Sequence, residues 1–382
     1  MIKKFYWILK KTSQAFKTHS KPYIRRFIRL IALPYYYCVG VNWKECNKSK
    51  YQVVKDLCYI FFKLKYYPDN YSACRLFEKE RSQWHKYYGS NYNPYQKARL
   101  SRFLQPVEYE IIFEDKEVCW QMCKGMDFPV PDTYGSVDTY ENYHQIIRDT
   151  MKDNSLNEMI VKPVRGSAGQ GVVKLQNENG KIVVRDKFKI FSLDTFKLTE
   201  KSLLQKVVLQ DPEISNIARF SINTIRVITM ITSSGEIIIL GSTMRFGIGD
   251  AHIDNWSAGG IAVGVDVKKG QLKAVAFDKR GAEFRQHPES NIIFEGYSIP
   301  CWSGVVALSK KVQDHFKYFK LLGMDIALSE NGPVIIEINA CPDFVFQEQT
   351  SGPLLEDGKT AKAFKEYGLL INKYQKRIAV AL

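Results

Sequence analysis

The chain has 382 residues and a mass of 44.1 kDa, more than one ordinary hydrophobic core supports, so two or three subdomains are expected. Apolar residues make up 45% of the chain, a share that is typical of folded proteins and excludes a wholly disordered one. The 55 Lys and Arg against 40 Asp and Glu give a formal charge of +15, which favours an acidic partner such as a nucleotide, an anionic sugar, a nucleic acid or an anionic lipid.

Positive charge is concentrated in residues 1–30, which contain nine Lys and Arg and no acid, interleaved with six aromatic residues. This pattern resembles an amphipathic segment that binds an anionic membrane surface; the alternative is a basic helix packed on the protein body. The apolar stretch 5–9 is cut short by Lys10 and Lys11 and lacks a small-residue cleavage site, so a signal peptide is not expected. No run reaches the roughly 18 apolar residues of a spanning helix.

Residues 1–105 are interpreted as a basic, aromatic-rich helical region, because the runs 53–62 and 73–84 have helical spacing of their apolar residues. Sequences around Pro68 and Pro94 break this region into turns. A short helix is predicted at 114–125, with acids at the positive end of its dipole and Gly125 at its end. Residues 128–133 are expected to be extended, since residues before proline avoid the helical conformation.

Six strands are predicted farther along the chain, with turn signals such as Asn179-Gly180 and Ser234-Gly235 between them: 158–164, 172–176, 181–185, 203–208, 221–231 and 236–240. Residues 305–322 have the apolar period of one long helix that ends at Gly323. A hairpin is predicted after it, with strands 324–328 and 334–339 on either side of a turn at 330–332. The tail 349–382 is expected to be basic and helical.

A glycine loop carries the first chemical signal, because Lys162 precedes Gly166, Gly169 and Gly171 between two strand-like runs. A Walker loop or a dinucleotide fingerprint needs its glycines to open a helix, and no helix start signal follows Gly171. A protein kinase covers ATP with a strand, a loop and a strand, but its lysine follows the glycines, and the sequence has neither a His-Arg-Asp nor an Asp-Phe-Gly triplet. The loop therefore predicts another kind of site for nucleotide phosphates.

The hairpin carries the second signal. Glu337 and Asn339 are two residues apart on one predicted strand and so point to one face, and Asp325 lies at the start of the other strand. A carboxylate on an apolar strand costs several kcal/mol or so to desolvate unless a cation compensates it. Two acids and an amide are oxygen ligands that suit Mg²⁺ or Mn²⁺. The alternative is an exposed edge strand with satisfied polar ends.

These features, over residues 114–348, resemble the ATP-grasp superfamily, in which two α+β lobes grip ATP and its metals. The resemblance implies that two lysines of the first lobe, together with the glycine loop, hold the phosphates. It also implies that a hinge strand binds adenine through its backbone groups. The implied nucleotide-binding residues are Lys116, Lys162, Arg165, Gly166, Ser167, Gly169, Gly171, Gln205, Lys206 and Val207, and the implied metal ligands are Asp325, Glu337 and Asn339.

A narrower resemblance rests on residues 221–229, 244–247 and 253–261, which are similar to ATP-grasp proteins associated with polysaccharide biosynthesis and sugar transfer. It implies that Arg226 and Arg245 are catalytic, since a fixed guanidinium suits a transferring phosphoryl group or an acyl phosphate. A salt bridge to a neighbouring acid is the alternative for each arginine. The residues implied to line the acceptor site, for some of which a tight surface turn is the alternative, are Asn223, Asp254, Asn255, Gly259 and Gly260.

The chain departs from this narrower group at two places. Met324 stands where many relatives have tryptophan, and Cys341-Pro342-Asp343 follows the second hairpin strand. These changes bear on the choice of acceptor rather than on nucleotide binding.

The resemblance implies an α+β chain with the ATP-grasp fold. Its expected parts are an N-terminal helical region at 1–105, a pre-ATP-grasp segment at 106–157, a lobe with the glycine loop at 158–240, a lobe with the metal site at 241–348 and a C-terminal helical tail at 349–382. The implied activity is an ATP-dependent carboxylate–amine ligase that uses Mg²⁺ or Mn²⁺, forms an acyl phosphate and modifies a cell-surface polysaccharide or a glycan precursor.

Two other functions stay open. One is a kinase of the same fold that phosphorylates a sugar or alcohol hydroxyl, and the other is a non-catalytic adaptor that binds nucleotide or membrane. Nucleic acid is not expected as a partner, because no readout motif accompanies the charge. Eight cysteines without a paired framework favour a reducing cytoplasm, at the inner face of the membrane if residues 1–30 bind lipid. Cys119 and Cys123, four apart, are interpreted as buried helix cysteines rather than zinc ligands.

Overall fold

A computed structural model describes residues 22–89, 104–106, 109, 111–166, 169–186, 189–249 and 259–381. The predictions for residues 1–21, for the turn near Pro94, and for Ser167, Asp254 and Asn255 therefore lie outside the described residues. Two antiparallel sheets with helices packed against them form the body of the protein, as the α+β prediction requires. None of the helices in the described ranges is both long enough and apolar enough to cross a bilayer.

The first sheet has six strands in the order β1-β6-β2-β3-β4-β5. In chain order these are β1 Thr133–Val137, β2 Glu158–Pro163, β3 Val173–Glu178, β4 Lys181–Arg185, β5 Ile190–Ser192 and β6 Ser202–Gln205. Alternate residues of β2 are buried, so Met159 and Val161 pack in the core with Ile147 and Met151 of the helix Tyr143–Asp153. Lys162 consequently points to the opposite face of this sheet.

The second sheet has seven strands in the order β11-β10-β9-β8-β7-β12-β13. They are β7 Thr224–Ile231, β8 Ile237–Phe246, β9 Ile261–Asp266, β10 Gln271–Phe277, β11 Glu283–Phe284, β12 Leu321–Ser329 and β13 Gly332–Asn339. The helix Trp302–His315 buries Val305 and Val312 against one face, together with Val227 of β7. The helix Phe344–Ser351 packs on the other face over β8 and β9.

Helices and turns at the two chain ends pack together around many aromatic side chains. The helices near the chain ends are Pro22–Ile31, Leu33–Tyr35, Lys50–Cys58, Asn70–Ala73, Gly358–Glu366 and Lys373–Ala381, with the π-helical segments Tyr36–Gly40 and Tyr59–Leu64 and the 3-10 helices Leu76–Glu78, Arg81–Lys86 and Leu354–Glu356. Elsewhere in the described chain lie the helices Ile111–Glu114, Lys116–Gly125 and Pro212–Ile217 and the 3-10 helix Leu193–Thr195. Glu348 of the helix over β8 and β9 accepts the backbone N–H groups of Tyr88 and Gly89, which fixes the N-terminal region to the second sheet.

Three sequence predictions are wrong in their boundaries. The helix predicted at 305–322 ends at His315, and Leu321 and Leu322 start β12 by pairing with Met230 and Thr229. Both faces of β12 are buried, so its continuous apolar run could not be told from a helix by periodicity. The strand predicted at 203–208 ends at Gln205. The run 73–84 contains only the 3-10 helices Leu76–Glu78 and Arg81–Lys86 after the end of the helix Asn70–Ala73.

The division of the two lobes at residue 240 is also wrong. Strands β7 and β8 form a hairpin around Ser234-Gly235, and both belong to the seven-stranded sheet. The first lobe extends back through β1 and the helix Tyr143–Asp153, which lie within the predicted pre-ATP-grasp segment 106–157. A hairpin keeps its two strands in one sheet, so a boundary cannot fall inside it.

The close packing of the helix Phe344–Ser351 on the second sheet can be tested at Gly264 of β9. A Cβ atom at this position would collide with the backbone oxygen of Thr350. We expect Gly264→Ala to lower the free energy of unfolding by about 1–3 kcal/mol, because helix and sheet must move apart. Gly125→Ala is the matched control, since nothing lies near its Cβ position. Thermal unfolding of both variants checks this, and equal midpoints would contradict the close packing.

Candidate active site

The two sheets face each other across a cleft. Apolar side chains of both lobes line it around two lysines and one carboxylate, and its lining comprises Phe113, Lys116, Cys119, Trp120, Cys123, Val130, Pro131, Lys162, Leu203, Gln205, Ile335, Ile336, Glu337 and Ile338. Apolar walls with a few convergent polar groups are typical of small-molecule sites. The lysine of the glycine loop and the hairpin carboxylate thus share one crevice.

Lys162 bridges the lobes. Its position on β2 turns the side chain away from the core of the first sheet, and its Nζ donates a hydrogen bond to the backbone oxygen of Ile336 on β13, at 3.1 Å. A lysine is a flexible stem with a point charge, so this contact can be exchanged for an anionic oxygen. The predicted phosphate lysine therefore already reaches across to the predicted metal strand.

Lys116 brings a second ammonium to the cleft. It begins the helix Lys116–Gly125, whose N-cap is Asp115, and its Nζ donates to the backbone oxygen of Gly166 at 2.7 Å. Burial lowers the pKa of Lys116; the charge of Glu337 opposes this change, and that of Lys162 adds to it. The two lysines and Glu337 therefore lie within electrostatic reach of one another, although they come from three distant parts of the chain.

The glycine loop needs its glycines. Gly166, Gly169 and Gly171 all have φ between +69° and +107°, a region that residues with a Cβ adopt at a cost. At Gly171 a Cβ would also lie 2.8 Å from the ring of Pro163. Arg165 is exposed, with its Nε 3.9 Å from a carboxylate oxygen of Asp115. The loop thus starts at the lysine-bearing end of β2, beside the N-terminus of the next helix.

The predicted adenine hinge follows β6. The side-chain amide of Gln205 donates to the hydroxyl of Thr133, which leaves the residue in the cleft wall. The backbone N–H of Lys206 donates to the oxygen of Asp132 at 2.8 Å, so an adenine contact at this residue would fall to its carbonyl oxygen. Val207 is half-buried just beyond the strand.

The hairpin aligns the predicted metal ligands by register. Asp325 on β12 lies directly opposite Glu337 on β13, and Asn339 lies opposite Gly323, so all point to one face of the sheet. Asp325 is in the middle of β12 rather than at its start as predicted, because the strand begins at Leu321. The predicted spacing of Glu337 and Asn339 on one strand is as expected.

Two arginines enclose Asp325. Arg226 is its cross-strand partner on β7 and donates from Nε to one carboxylate oxygen and from Nη2 to the other. Arg245 on β8 lies 3.1 Å from the second oxygen. Burial raises the pKa of Asp325, but the two guanidinium groups outweigh it and bring the pKa from 3.8 to about 2. The salt bridge that was the alternative role for each arginine is present.

The side chains of Asp325, Glu337 and Asn339 offer the oxygen donors that a hard divalent cation prefers. They are two carboxylates and an amide oxygen on one sheet face. The Nδ2 atom of Asn339 is buried without a hydrogen-bond partner among the described residues, and as an N–H donor it suits an anionic oxygen of the ligand rather than the cation. Asp325 is already neutralised, so Glu337 and Asn339 are the better placed donors. Within the described ranges, His, Cys, Asp and Glu form no group of three that could hold a metal by themselves. A cation here would thus need oxygens from its ligand as well.

Of the predicted acceptor residues, Asn223 is corrected by the structure. It is fully buried, its Oδ1 accepts from Ser221, and its Nδ2 donates to the backbone oxygen of Ala218 at 2.7 Å. Its polar atoms therefore hold the start of β7 instead of facing a substrate. Gly259 has φ +109° and is exposed, and Gly260 leads into β9.

Sequence reasoning missed the cleft role of the helix Lys116–Gly125. Cys119 and Cys123 are buried as predicted, but they and Trp120 also form the cleft wall. The hydrogen bond with Cys123, and then burial, raises the pKa of the Cys119 thiol. The signal was available, since Lys116 was predicted to contact nucleotide, and Trp120 and Cys119 follow it by four and three residues on the same helix.

The ion pairs of Asp325 with Arg226 and Arg245 predict that the stability of the protein depends on pH. Asp325→Asn should lower the free energy of unfolding by about 3 kcal/mol near neutral pH, because two buried guanidinium groups lose their carboxylate. The folded pKa is depressed, so the stabilisation is fully present above 3.8 and is lost as the pH falls towards 2.

Urea titrations at several pH values check this, and the two proteins should converge as the pH falls. Asp194→Asn, at an exposed pair with Arg148, is the matched control and should change little at any pH. A gap between wild type and Asp325→Asn that does not change with pH would contradict the ionic role.

Three comparisons bear on the family. No curated protein matches the chain. Among solved structures it is similar to D-alanyl-alanine synthetase A from Vibrio cholerae (12% identity, 71% of this chain and 66% of that one, TM-score 0.39). It is also similar to phosphoribosylamine–glycine ligase from Thermotoga maritima (11%, 70% and 57%, 0.41) and to N5-carboxyaminoimidazole ribonucleotide synthetase in its ADP complex (13%, 60% and 45%, 0.37).

The chain thus spans about half to two thirds of the length of these structures. A family model described as sugar-transfer associated ATP-grasp matches residues 95–360, which include both sheets, the glycine loop and the carboxylate hairpin. The chain therefore belongs to the sugar-transfer associated ATP-grasp family.

Proposed function

We propose that the protein is an ATP-dependent carboxylate–amine ligase that works through an acyl phosphate. The observation that carries this proposal is the convergence of Lys116, Lys162 and Glu337 in one apolar cleft, with Lys162 bonded across to β13. Two cations on one wall suit a polyphosphate, and a carboxylate on the other suits the cation that accompanies it.

In the first step an oxygen of the substrate carboxylate attacks the γ-phosphorus of ATP. A phosphorus–oxygen bond forms, the bond to the β–γ bridging oxygen breaks, and ADP leaves with that electron pair. Lys162 and Lys116 exchange their backbone oxygens for phosphate oxygens and neutralise the charge that grows on them. The glycine loop beside them shields the acyl phosphate from water.

In the second step the amine nitrogen attacks the acyl carbon. A carbon–nitrogen bond forms, phosphate leaves with the electron pair of the carbon–oxygen bond, and the amine loses one proton to solvent. Arg226 and Arg245 are proposed to hold the oxyanion. Asp325 accepts from two of the five N–H donors of Arg226 and fixes the guanidinium plane, so its orientation is set before substrate arrives.

Glu337 and Asn339, with Asp325 beside them, would hold Mg²⁺ or Mn²⁺. When bound, the cation supplies positive charge next to the phosphates. The proposed adenine contacts are backbone groups of Gln205, Lys206 and Val207, and the proposed acceptor contacts are those at Gly259 and Gly260.

The proposed substrates are a small or glycan-linked carboxylate and an amine, in the modification of a cell-surface polysaccharide or its precursor. The family's association with sugar transfer supports this context. All eight cysteines are free thiols, which supports a reducing cytoplasm as the location.

Nucleotide binding is tested at Lys162. We expect Lys162→Ala to weaken ATP binding about tenfold or more, since a charge-assisted contact to phosphate is lost. Lys174→Ala is the matched control, because that lysine lies on the neighbouring strand β3 and pairs with Glu158. Calorimetric titration with a non-hydrolysable ATP analogue and Mg²⁺ measures both, and equal affinities would contradict the phosphate role.

The reaction type is tested with hydroxylamine as the amine. Wild type with Mg²⁺, ATP and a panel of small-molecule and glycan carboxylates should release phosphate and form a hydroxamate. Glu337→Gln should lose turnover by about a hundredfold or more, since one ligand charge is removed and its shape is kept. Glu330→Gln, in the turn of the same hairpin, is the matched control and should behave as wild type.

Other outcomes separate the alternatives. A phosphorylated product without hydroxamate would show a kinase. Binding of the ATP analogue without consumption of ATP by any acceptor would show an adaptor.

A further inference from the structure

The helix Pro22–Ile31 presents its apolar side chains to solvent. Ile24, Phe27, Leu30 and Ile31 are 48%, 62%, 36% and 45% exposed, and their spacing of three, three and one residues places them on one stripe of the helix. Scattered apolar residues on a surface are ordinary, but a contiguous stripe on one helix marks an interaction site.

Arg26 and Arg29 of this helix face the protein. Arg26 donates to the backbone oxygens of Phe61 and Lys65, at 2.6 and 3.2 Å, and its guanidinium lies over the Phe61 ring. Arg29 lies over the ring of Tyr67. The arrangement is the reverse of that in a solvated surface helix, whose charges point outward. These bonds also fix the rotation of the helix about its axis, so its exposed apolar side chains cannot turn inward without breaking them.

Another exposed apolar side chain lies on the segment Tyr59–Leu64, which Arg26 contacts. Phe62 is 53% exposed, and its ring centroid lies 5.1 Å from that of Phe61, over which Arg26 is placed. We call the side chains of Ile24, Phe27, Leu30, Ile31 and Phe62 the apolar stripe.

The segment of the chain that carries the apolar stripe is basic. Residues 22–65 contain nine Lys and Arg and two acids, and both acids are paired: Glu45 with Arg75, and buried Asp56 with Lys48 and Arg81. Lys63 and Lys65 are exposed beside Phe62. An exposed apolar stripe with the exposed Lys63 and Lys65 as its cationic rim is complementary to lipid tails below anionic headgroups.

We propose that the apolar stripe docks on an anionic lipid bilayer, with the helix Pro22–Ile31 lying in the headgroup region. A second copy of the chain is a poorer occupant, because two cationic rims would meet. Residues 1–21 are a poorer occupant for the same reason, since they contain six lysines and no acid. This docking goes beyond the proposed ligase activity and does not depend on it.

Vesicle binding of the full chain tests the proposal. Wild type should bind vesicles of phosphatidylcholine with phosphatidylglycerol, bind pure phosphatidylcholine weakly, and lose binding as salt rises. The double variant Ile24→Ser and Ile31→Ser should reduce the partition coefficient about tenfold or more, because it removes apolar area from the inserted face. The matched control is Ile190→Ser with Ile293→Ser, whose isoleucines are both 63% exposed elsewhere, and it should bind as wild type.

Three results would overturn the docking. Absence of wild-type binding, or equal binding by the stripe variant, removes the bilayer as occupant. Self-association of wild type in sedimentation velocity, abolished only by the stripe variant, identifies a second copy instead. A lower thermal unfolding midpoint for the stripe variant than for the control, without vesicles, shows that the chain itself covers the apolar stripe.

Discussion

A carboxylate held between two guanidinium groups organises the second lobe. Asp325 is only 3% exposed, so its charge is stabilised by Arg226 and Arg245, and each of the three comes from a different strand of one sheet. A slip of one residue in any of these strands would turn its charge to the other face. The ion cluster therefore stabilises one register of β8, β7 and β12. The hairpin of β12 and β13 places Glu337 opposite Asp325.

The connection between the lobes is of another kind. Lys162 forms a hydrogen bond across the cleft to a backbone oxygen, and within the described ranges it has no salt bridge. When an ammonium exchanges a neutral carbonyl oxygen for a phosphate oxygen, it loses a weaker hydrogen bond and gains a stronger one between two charged groups. The rigid part of the site is thus built into a sheet, and the exchangeable part is carried by long lysine side chains, which suits a pocket that must admit and release a charged nucleotide.

The features that could be predicted from the sequence are those that depend on residues close together in the chain. The glycine loop and the hairpin could be recognised because positive φ angles and a two-residue period leave marks on neighbouring residues. The pairing of Asp325 with Arg226 could not, since 99 residues separate them and only the sheet order brings them together. The extension of the predicted helix into β12 failed for a related reason, because a strand buried on both faces has no period of its own. The motif predicts a substrate contact for Asn223, but in the fold its side-chain amide bonds to Ser221 and to the backbone of Ala218.

The hydrogen bond from Lys116 to the backbone of Gly166 has a mechanical consequence. The same ammonium holds the loop and provides a cation that faces the cleft. An anion that draws Lys116 away from Gly166 therefore releases the loop in the same event. Occupancy of the cleft and freedom of the loop are therefore thermodynamically linked through a single side chain, and each alters the other by the same amount of free energy.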